Sequence, residues 1–147
     1  MGDSKQLQVL LITSRDTGRW VIPRGNIDNR EHAFRCAQRE SFEEAGVSGK
    51  IRKKPFGYYR YEKDGERILT VAVHLLQVKR DISRYPERGE RRKAWVYPSE
   101  AATMVREPDL GELFRMIADA HPLHSRDNVA RRTPHNDLTA ELPVAYA

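Results

Sequence analysis

Apolar positions in the first third of the chain fall into short, separated runs. Leu7, Val9, Leu10, Leu11 and Ile12 lie between polar ends and predict a buried strand over residues 6–14. Asp16-Thr17-Gly18 is a turn signal, and Trp20-Val21-Ile22 predicts a second extended piece that Pro23 stops. Residues 31–45 contain neither Gly nor Pro, and Gly46 stands where a left-handed glycine ends a helix. Asp28, with Glu31 three residues on, has the capping-box spacing that opens one. Residues 51–61 favour strand with a break at Pro55. Asp64-Gly65 is a hairpin turn into 67–78, the clearest strand pattern in the chain. A polar, basic loop over 79–93 leads to Trp95-Val96-Tyr97, and Pro98-Ser99-Glu100 opens a short helix with Ser99 as its expected N-cap. A last helix over 109–120 places Leu110, Leu113, Phe114 and Ile117 on one face. From 121 onward the pattern dissolves into three prolines, few apolar residues and no sustained period. The expectation is one domain over 1–120 and a loosely held or disordered tail over 121–147. No internal repeat is visible, and strands alternating with helices point to an α/β or α+β fold.

Composition narrows the class. The 147 residues suffice for one core, and 32% charged with 39% hydrophobic excludes both wholesale disorder and a membrane protein. The longest apolar run, 69–76, is strand-sized and broken by His74, far short of the roughly 18 residues of a membrane span. The first six residues lack the apolar core of a signal peptide. A single cysteine, Cys36, precludes an intramolecular disulfide and a cysteine-based zinc cluster, so a reducing, cytoplasmic setting is expected.

Candidate chemistry concentrates on the first helix. Glu40, Glu43 and Glu44 fall at i, i+3 and i+4, one stripe with neighbouring Cβ atoms about 6 Å apart. Three carboxylates so close repel one another unless cations lie between them, and oxygen-only ligands suit Mg²⁺ or Mn²⁺, which also take phosphate oxygens. Ala33, Cys36 and Ala37 on the same stripe are small and leave the approach open, while Arg39 reaches Glu43 one turn on. A solvated acidic face would show the same triplet.

The wider spacing is more specific. Gly25, Glu31, Arg39-Glu40, Glu43-Glu44 and Gly46-Val47 resemble the signature box of the Nudix hydrolase superfamily, with Ser41 where an aliphatic residue is usual. Trp20-Val21-Ile22-Pro23 upstream, Glu44-Ala45-Gly46-Val47 at the end of the box and the basic run before Trp95 look like the diphosphoinositol polyphosphate phosphohydrolase branch. Pro23-Arg24-Gly25 is similar to the Pro-Lys-Gly of diadenosine polyphosphate hydrolases. The resemblance spans about 7–120. It implies an α/β/α sandwich with a mixed sheet. It also implies metal-dependent hydrolysis of a diphosphate bond in a highly phosphorylated small molecule, an inositol pyrophosphate or a dinucleoside polyphosphate. By position it makes Glu40, Glu43, Glu44 and Gly25 ligands of Mg²⁺ (or Mn²⁺), Glu43 and Glu44 catalytic, and Arg39 and Glu31 orienting. Such domains usually carry one more strand ahead of the first one here. Only about six polar residues precede it, so either the sequence begins late or the sheet lacks its N-terminal edge strand, an opening that a partner such as a second copy in a homodimer would fill.

Charge adds a substrate argument. The formal net charge is +5, yet residues 25–47 hold five acids against three arginines, so the rest of the chain carries +7. Arginines read phosphate bidentately. Arg24 beside the box, Arg67 at the hairpin, and Arg91-Arg92-Lys93 before Trp95 are the candidate substrate-binding residues. Tyr58-Tyr59-Arg60-Tyr61 offers an aromatic face for a base, although strand alternation would bury Tyr59 as core. The competing reading is a Nudix-type module that senses a nucleotide without cleaving it; such a module would be free to lose the carboxylates, and all three are present. A nucleic-acid-binding protein would need a zinc-finger spacing, an RNA-recognition motif or a long basic helix, and the sequence shows none of these.

Overall fold

The computed structural model describes residues 7–63, 65–121 and 140–146, the last stretch as backbone only. Three helices and one eight-stranded sheet make up the described residues. The sheet is built on β1 (Gln8–Thr13), β2 (Trp20–Val21), β3 (Arg24–Gly25), β4 (Val47–Ile51), β5 (Gly57–Lys63), β6 (Arg67–Asp81), β7 (Lys93–Val96) and β8 (Ala140–Tyr146). The helices are α1 (Ala33–Ala45), α2 (Pro98–Met104) and α3 (Pro108–Ala120). The main strand order is β2-β1-β8-β6-β4, with β7 antiparallel to β1 and β5 antiparallel to β6. β8 runs parallel to β1 and β3 and antiparallel to β6, so the sheet is mixed.

Strand alternation divides the core into two layers. Val9 and Leu11 of β1 join Val71, Val73 and Leu75 of β6 beneath α2 and α3, where Leu110, Leu113, Phe114 and Ile117 close the layer. Leu10 and Ile12 face the other way and meet Ala37 and Ala45 of α1 with Val47 and Leu76. Helices therefore cover both faces, the α/β/α sandwich expected from the sequence. The alanines of α1 let that helix sit close to the sheet, so its next positions, Glu40 and Glu44, are carried into the protein and not out to solvent.

Several local expectations shift. Helix α1 starts at Ala33, not Glu31, because Asp28 and Glu31 close a turn ahead of it: the Glu31 N–H donates to the Asp28 carbonyl and the Asp28 N–H to Glu31 Oε1, both at 2.9 Å. Its end is as expected, with Gly46 at φ 71° donating to the Phe42 carbonyl. Tyr97, not Ser99, stands at the N-cap of α2, and its N–H donates to Glu100 at 3.1 Å. Within the tail expected to be loosely held or disordered, residues 140–146 form β8, paired with β1, β3 and β6. Pro143, inside an otherwise apolar run, argues against an interior strand at the sequence level. Residues 122–139 lie outside the described residues. Among the described residues, no helix is long and apolar enough to cross a membrane.

Candidate active site

The segment from Arg24 to Gly46 folds so that a strand end, a turn and a helix converge on three carboxylates. Glu40 and Glu44 are buried, 8% and 7% exposed, one turn apart on α1. Glu43, beside them, keeps its side chain 35% exposed. Gly25 lies directly over Glu40: a Cβ at residue 25 would collide with the Glu40 carboxylate. With glycine there, the strand's backbone comes up against the Glu40 carboxylate as that side chain now lies.

One arginine organises this corner. Arg39 Nε and Nη2 donate to the two oxygens of Glu31 at 2.9 and 3.0 Å, while Nη1 donates to Glu40 at 3.0 Å and reaches Glu43 at 3.5 Å. Nη2 also donates to the Asn26 carbonyl at 3.2 Å, which ties the Gly25 turn to the helix. The paired guanidinium, through its hydrogen bond first, holds the Glu31 carboxyl down at about 2. Ser41, the odd residue of the box, donates to the Ala37 carbonyl at 2.7 Å and is fully buried. Its hydroxyl is satisfied inside the helix, so the substitution leaves the carboxylate face unaltered. Cys36 is buried under the same turn, and burial pushes its thiol up to about 12, so it is an inert small side chain.

The charges on α1 are costly as they stand. Burial raises the proton affinity of Glu40 and drives Glu44 up to about 8, and the neighbouring Glu40 adds to the effect at Glu44 while Arg91 opposes it. Among the described residues no three carboxylate, imidazole or thiolate groups meet in a ready-made metal cage. Arg39 draws Glu40 and Glu43 toward itself, and Arg91 draws Glu44 at 3.6 Å. The donor types nevertheless suit a hard dication: three carboxylates with the backbone of Gly25 alongside, all oxygen, two of the carboxylates buried.

A cleft of about 170 Å³ opens from Glu44 between the β1–β2 turn and α3. It is smaller than the roughly 300 Å³ of a pocket that encloses a drug-sized ligand, so it has room for only part of such a molecule. Arg15, Arg19, Arg24 and Arg91 line it together with Tyr59 and Tyr61. The Arg24 guanidinium lies 3.9 Å from the centre of the Tyr61 ring, and the Arg24 N–H donates to Glu44 at 3.3 Å. Arg19 is held by a bidentate pair with Glu107 at 2.7 and 3.2 Å.

Of the five basic residues singled out in the sequence, the structure brings Arg24 and Arg91 to this cleft. Arg67 starts β6 at the far end of the hairpin, exposed and opposite Lys63. Arg92 places its guanidinium over Trp20, and Lys93 pairs with Asp81 at 3.0 Å above the Tyr85 ring. None of these three lines the cleft. Sequence reasoning missed Arg15, Arg19 and Glu107, whose partners lie 75 to 88 residues away and leave no local signal. Tyr59 is buried in the core, as strand alternation suggested, while Tyr58 is 57% exposed.

Comparison with known proteins agrees with this geometry. The sequence model of the NUDIX domain matches residues 2–118. Nudix hydrolase 13, mitochondrial, of Arabidopsis thaliana is 28% identical over 78% of this chain and 63% of its own length. Nudix hydrolase 16, mitochondrial, of the same plant is 32% identical over 71% of this chain and 61% of its own length. The diphosphoinositol polyphosphate phosphohydrolase 3-beta of Bos taurus is 28% identical over 88% of this chain and 80% of its own length. The chain thus spans about three-fifths of the two plant relatives. With the box, the sandwich and the family match in agreement, this chain belongs to the Nudix family.

Proposed function

We propose that the chain is a divalent-metal-dependent hydrolase of a diphosphate bond in a highly phosphorylated small molecule, an inositol pyrophosphate or a dinucleoside polyphosphate. The observation that carries this reading is the juxtaposition of the α1 carboxylates with a cleft walled by arginines: Glu44 belongs to both. Glu40, Glu43, Glu44 and the Gly25 carbonyl would hold Mg²⁺ (or Mn²⁺). Bound there, the cation supplies charge neutralisation of the phosphates and acidifies a water.

The chain's own residues supply the rest. Glu40 and Glu44, buried and fixed, suit ligation. Glu43 is the most exposed of the three and, among the described residues, its side chain is held by a 3.5 Å contact to Arg39, which suits it to take the water's proton. Arg39 orients Glu40 and Glu43 and is itself anchored by Glu31. Arg24 and Arg91 hold phosphate oxygens beside Glu44, and Arg67, Arg92 and Lys93 extend the positive field outside the cleft, where the remaining phosphates lie. The bovine relative's name supports an inositol pyrophosphate, and Tyr61 beneath Arg24 supports a substrate read by charge. The lone buried Cys36 supports a reducing compartment such as the cytoplasm, although the two plant relatives carry "mitochondrial" in their names.

The test is phosphate release from diadenosine polyphosphates, inositol pyrophosphates and nucleoside triphosphates, with Mg²⁺, with Mn²⁺ and with EDTA. Metal-dependent release that Glu43→Gln and Glu44→Gln each abolish supports the reading. Silence across the panel in folded protein would favour a nucleotide-sensing module instead.

A further inference from the structure

The loop between β6 and β7 is fastened to the end of α1 at three points. The Ile82 N–H donates to the Gly46 carbonyl at 2.7 Å, and the Glu87 N–H donates to the Glu43 carbonyl at 3.0 Å. The Tyr85 ring fills the space over Gly46 that a side chain there would need. The loop then delivers Arg91 into the cleft. Arg91 Nε donates to Glu87 Oε1 at 3.0 Å, its Nη2 lies 2.9 Å from the same oxygen, and its Nη1 donates to the Thr13 carbonyl at 3.1 Å. Held by these contacts, the guanidinium stands 3.6 Å from Glu44, with its side chain only 10% exposed. Arg15 approaches the same Glu87 oxygen at 3.9 Å, having its main partner in Glu90 at 2.8 Å.

We propose that Glu87 is a positioning residue that aims Arg91 at the phosphate beside Glu44. Resting on the diphosphate reading of the cleft, it assigns to Glu87 the function that Glu31 performs for Arg39: a carboxylate that fixes an arginine and leaves some of its N–H groups for the site. The physical reason is geometric. A guanidinium offers five N–H donors in a rigid fork; Glu87 takes the Nε–Nη2 edge and the Thr13 carbonyl takes one N–H of Nη1, so one N–H on each of Nη1 and Nη2 remains for phosphate oxygens beside Glu44. Without Glu87, Arg91 keeps only the Thr13 carbonyl against the pull of Glu44 and swings toward that carboxylate, which withdraws donors from the cleft. Because Glu87 acts only through Arg91, removing both costs no more than removing Arg91.

The test is a double-mutant cycle read by calorimetric titration with methylenediphosphonate in the presence of Mg²⁺, a probe that cannot be hydrolysed. Wild type, Glu87→Ala, Arg91→Ala and the double variant are compared, with circular dichroism melting to establish folding. Glu87→Gln, which keeps an acceptor oxygen, serves as the conservative variant. Glu87→Ala is expected to weaken binding by about 5- to 10-fold and Arg91→Ala by about 10-fold or more, and the double variant is expected to match Arg91→Ala. Glu87→Gln should recover at least half of the loss on a logarithmic scale. Losses that multiply in the double variant, an unchanged Glu87→Ala, or no binding of the probe by wild type would overturn the proposal. Wild type that binds the probe with this coupling but hydrolyses no phosphoanhydride would leave the positioning intact and overturn the hydrolase reading alone.

Discussion

Replacing Glu31 by Gln tests how the α1 corner is held. The substitution keeps the size of the side chain and removes the charge that takes Arg39 Nε and Nη2 at 2.9 and 3.0 Å. In the folded protein the hydrogen bond from Arg39, above all, lowers the Glu31 carboxyl from 4.5 to about 2. At about 1.4 kcal/mol per pH unit the full drop corresponds to about 3 kcal/mol. Side chains 15% and 28% exposed remain partly screened, which brings the expected loss to about 1–2 kcal/mol. The sign follows from linkage: the folded state binds the proton less tightly than the unfolded chain. The contribution is therefore complete above pH 4.5 and disappears as pH falls toward 2. Urea unfolding followed by the fluorescence of Trp20 and Trp95 reads it. At pH 7 the variant's midpoint should fall by about 0.5–1 M with an unchanged slope, and at pH 3 the gap should narrow. Equal stabilities at pH 7, or a gap that stays constant down to pH 3, would refute the assignment of the shift to this pair.

Four further outcomes are expected. Gly25→Ala drives a methyl group into the Glu40 carboxylate. Glu40 can rotate away, so melting should change little while metal-dependent phosphate release falls at least about 100-fold. Glu44→Gln, measured in EDTA at pH 8, should raise the melting temperature by about a few degrees. Burial raises the folded carboxyl to about 8, so the native state loses stability as pH climbs from 4.5 through 8, and the amide escapes that loss. Phe114→Ala, at a fully buried ring beneath α3, should cost about 3–5 kcal/mol in urea. Ending the chain at residue 139 removes β8 from between β1 and β6, and loss of a cooperative melting transition is the expected result.

What could be read from the sequence was local. Glu40, Glu43, Glu44 and Gly46 lie within two helical turns, so their common face and the helix end follow from a 3.6-residue period alone. Arg39 and Glu31 are eight residues apart across a turn, and their pairing came from the resemblance, since no period predicts it. The start of α1 was misplaced because Asp28 and Glu31 bond each other in a turn that has the same spacing as a capping box. Arg67, Arg92 and Lys93 were grouped with Arg91 by charge. Strand alternation and tertiary partners separated them, sending Lys93 to Asp81 and Arg92 to Trp20 while Arg91 entered the cleft. Arg19 and Glu107 form the cleft's outer wall across 88 residues, a contact that only the closed fold creates. The strand β8 is the hardest segment to read: Pro143 masks it, and its partners β1, β3 and β6 lie far back along the chain, in its first half and middle.

The most direct measurement is a Mn²⁺ titration followed by electron paramagnetic resonance, in which only the free ion gives the sharp six-line signal. Wild type should deplete that signal at stoichiometric protein, more strongly when methylenediphosphonate is added, and Glu44→Gln should leave it nearly undiminished. An undepleted signal with folded wild type and the added diphosphonate, or equal depletion by Glu44→Gln, would contradict the claim that the α1 carboxylates form a dication site.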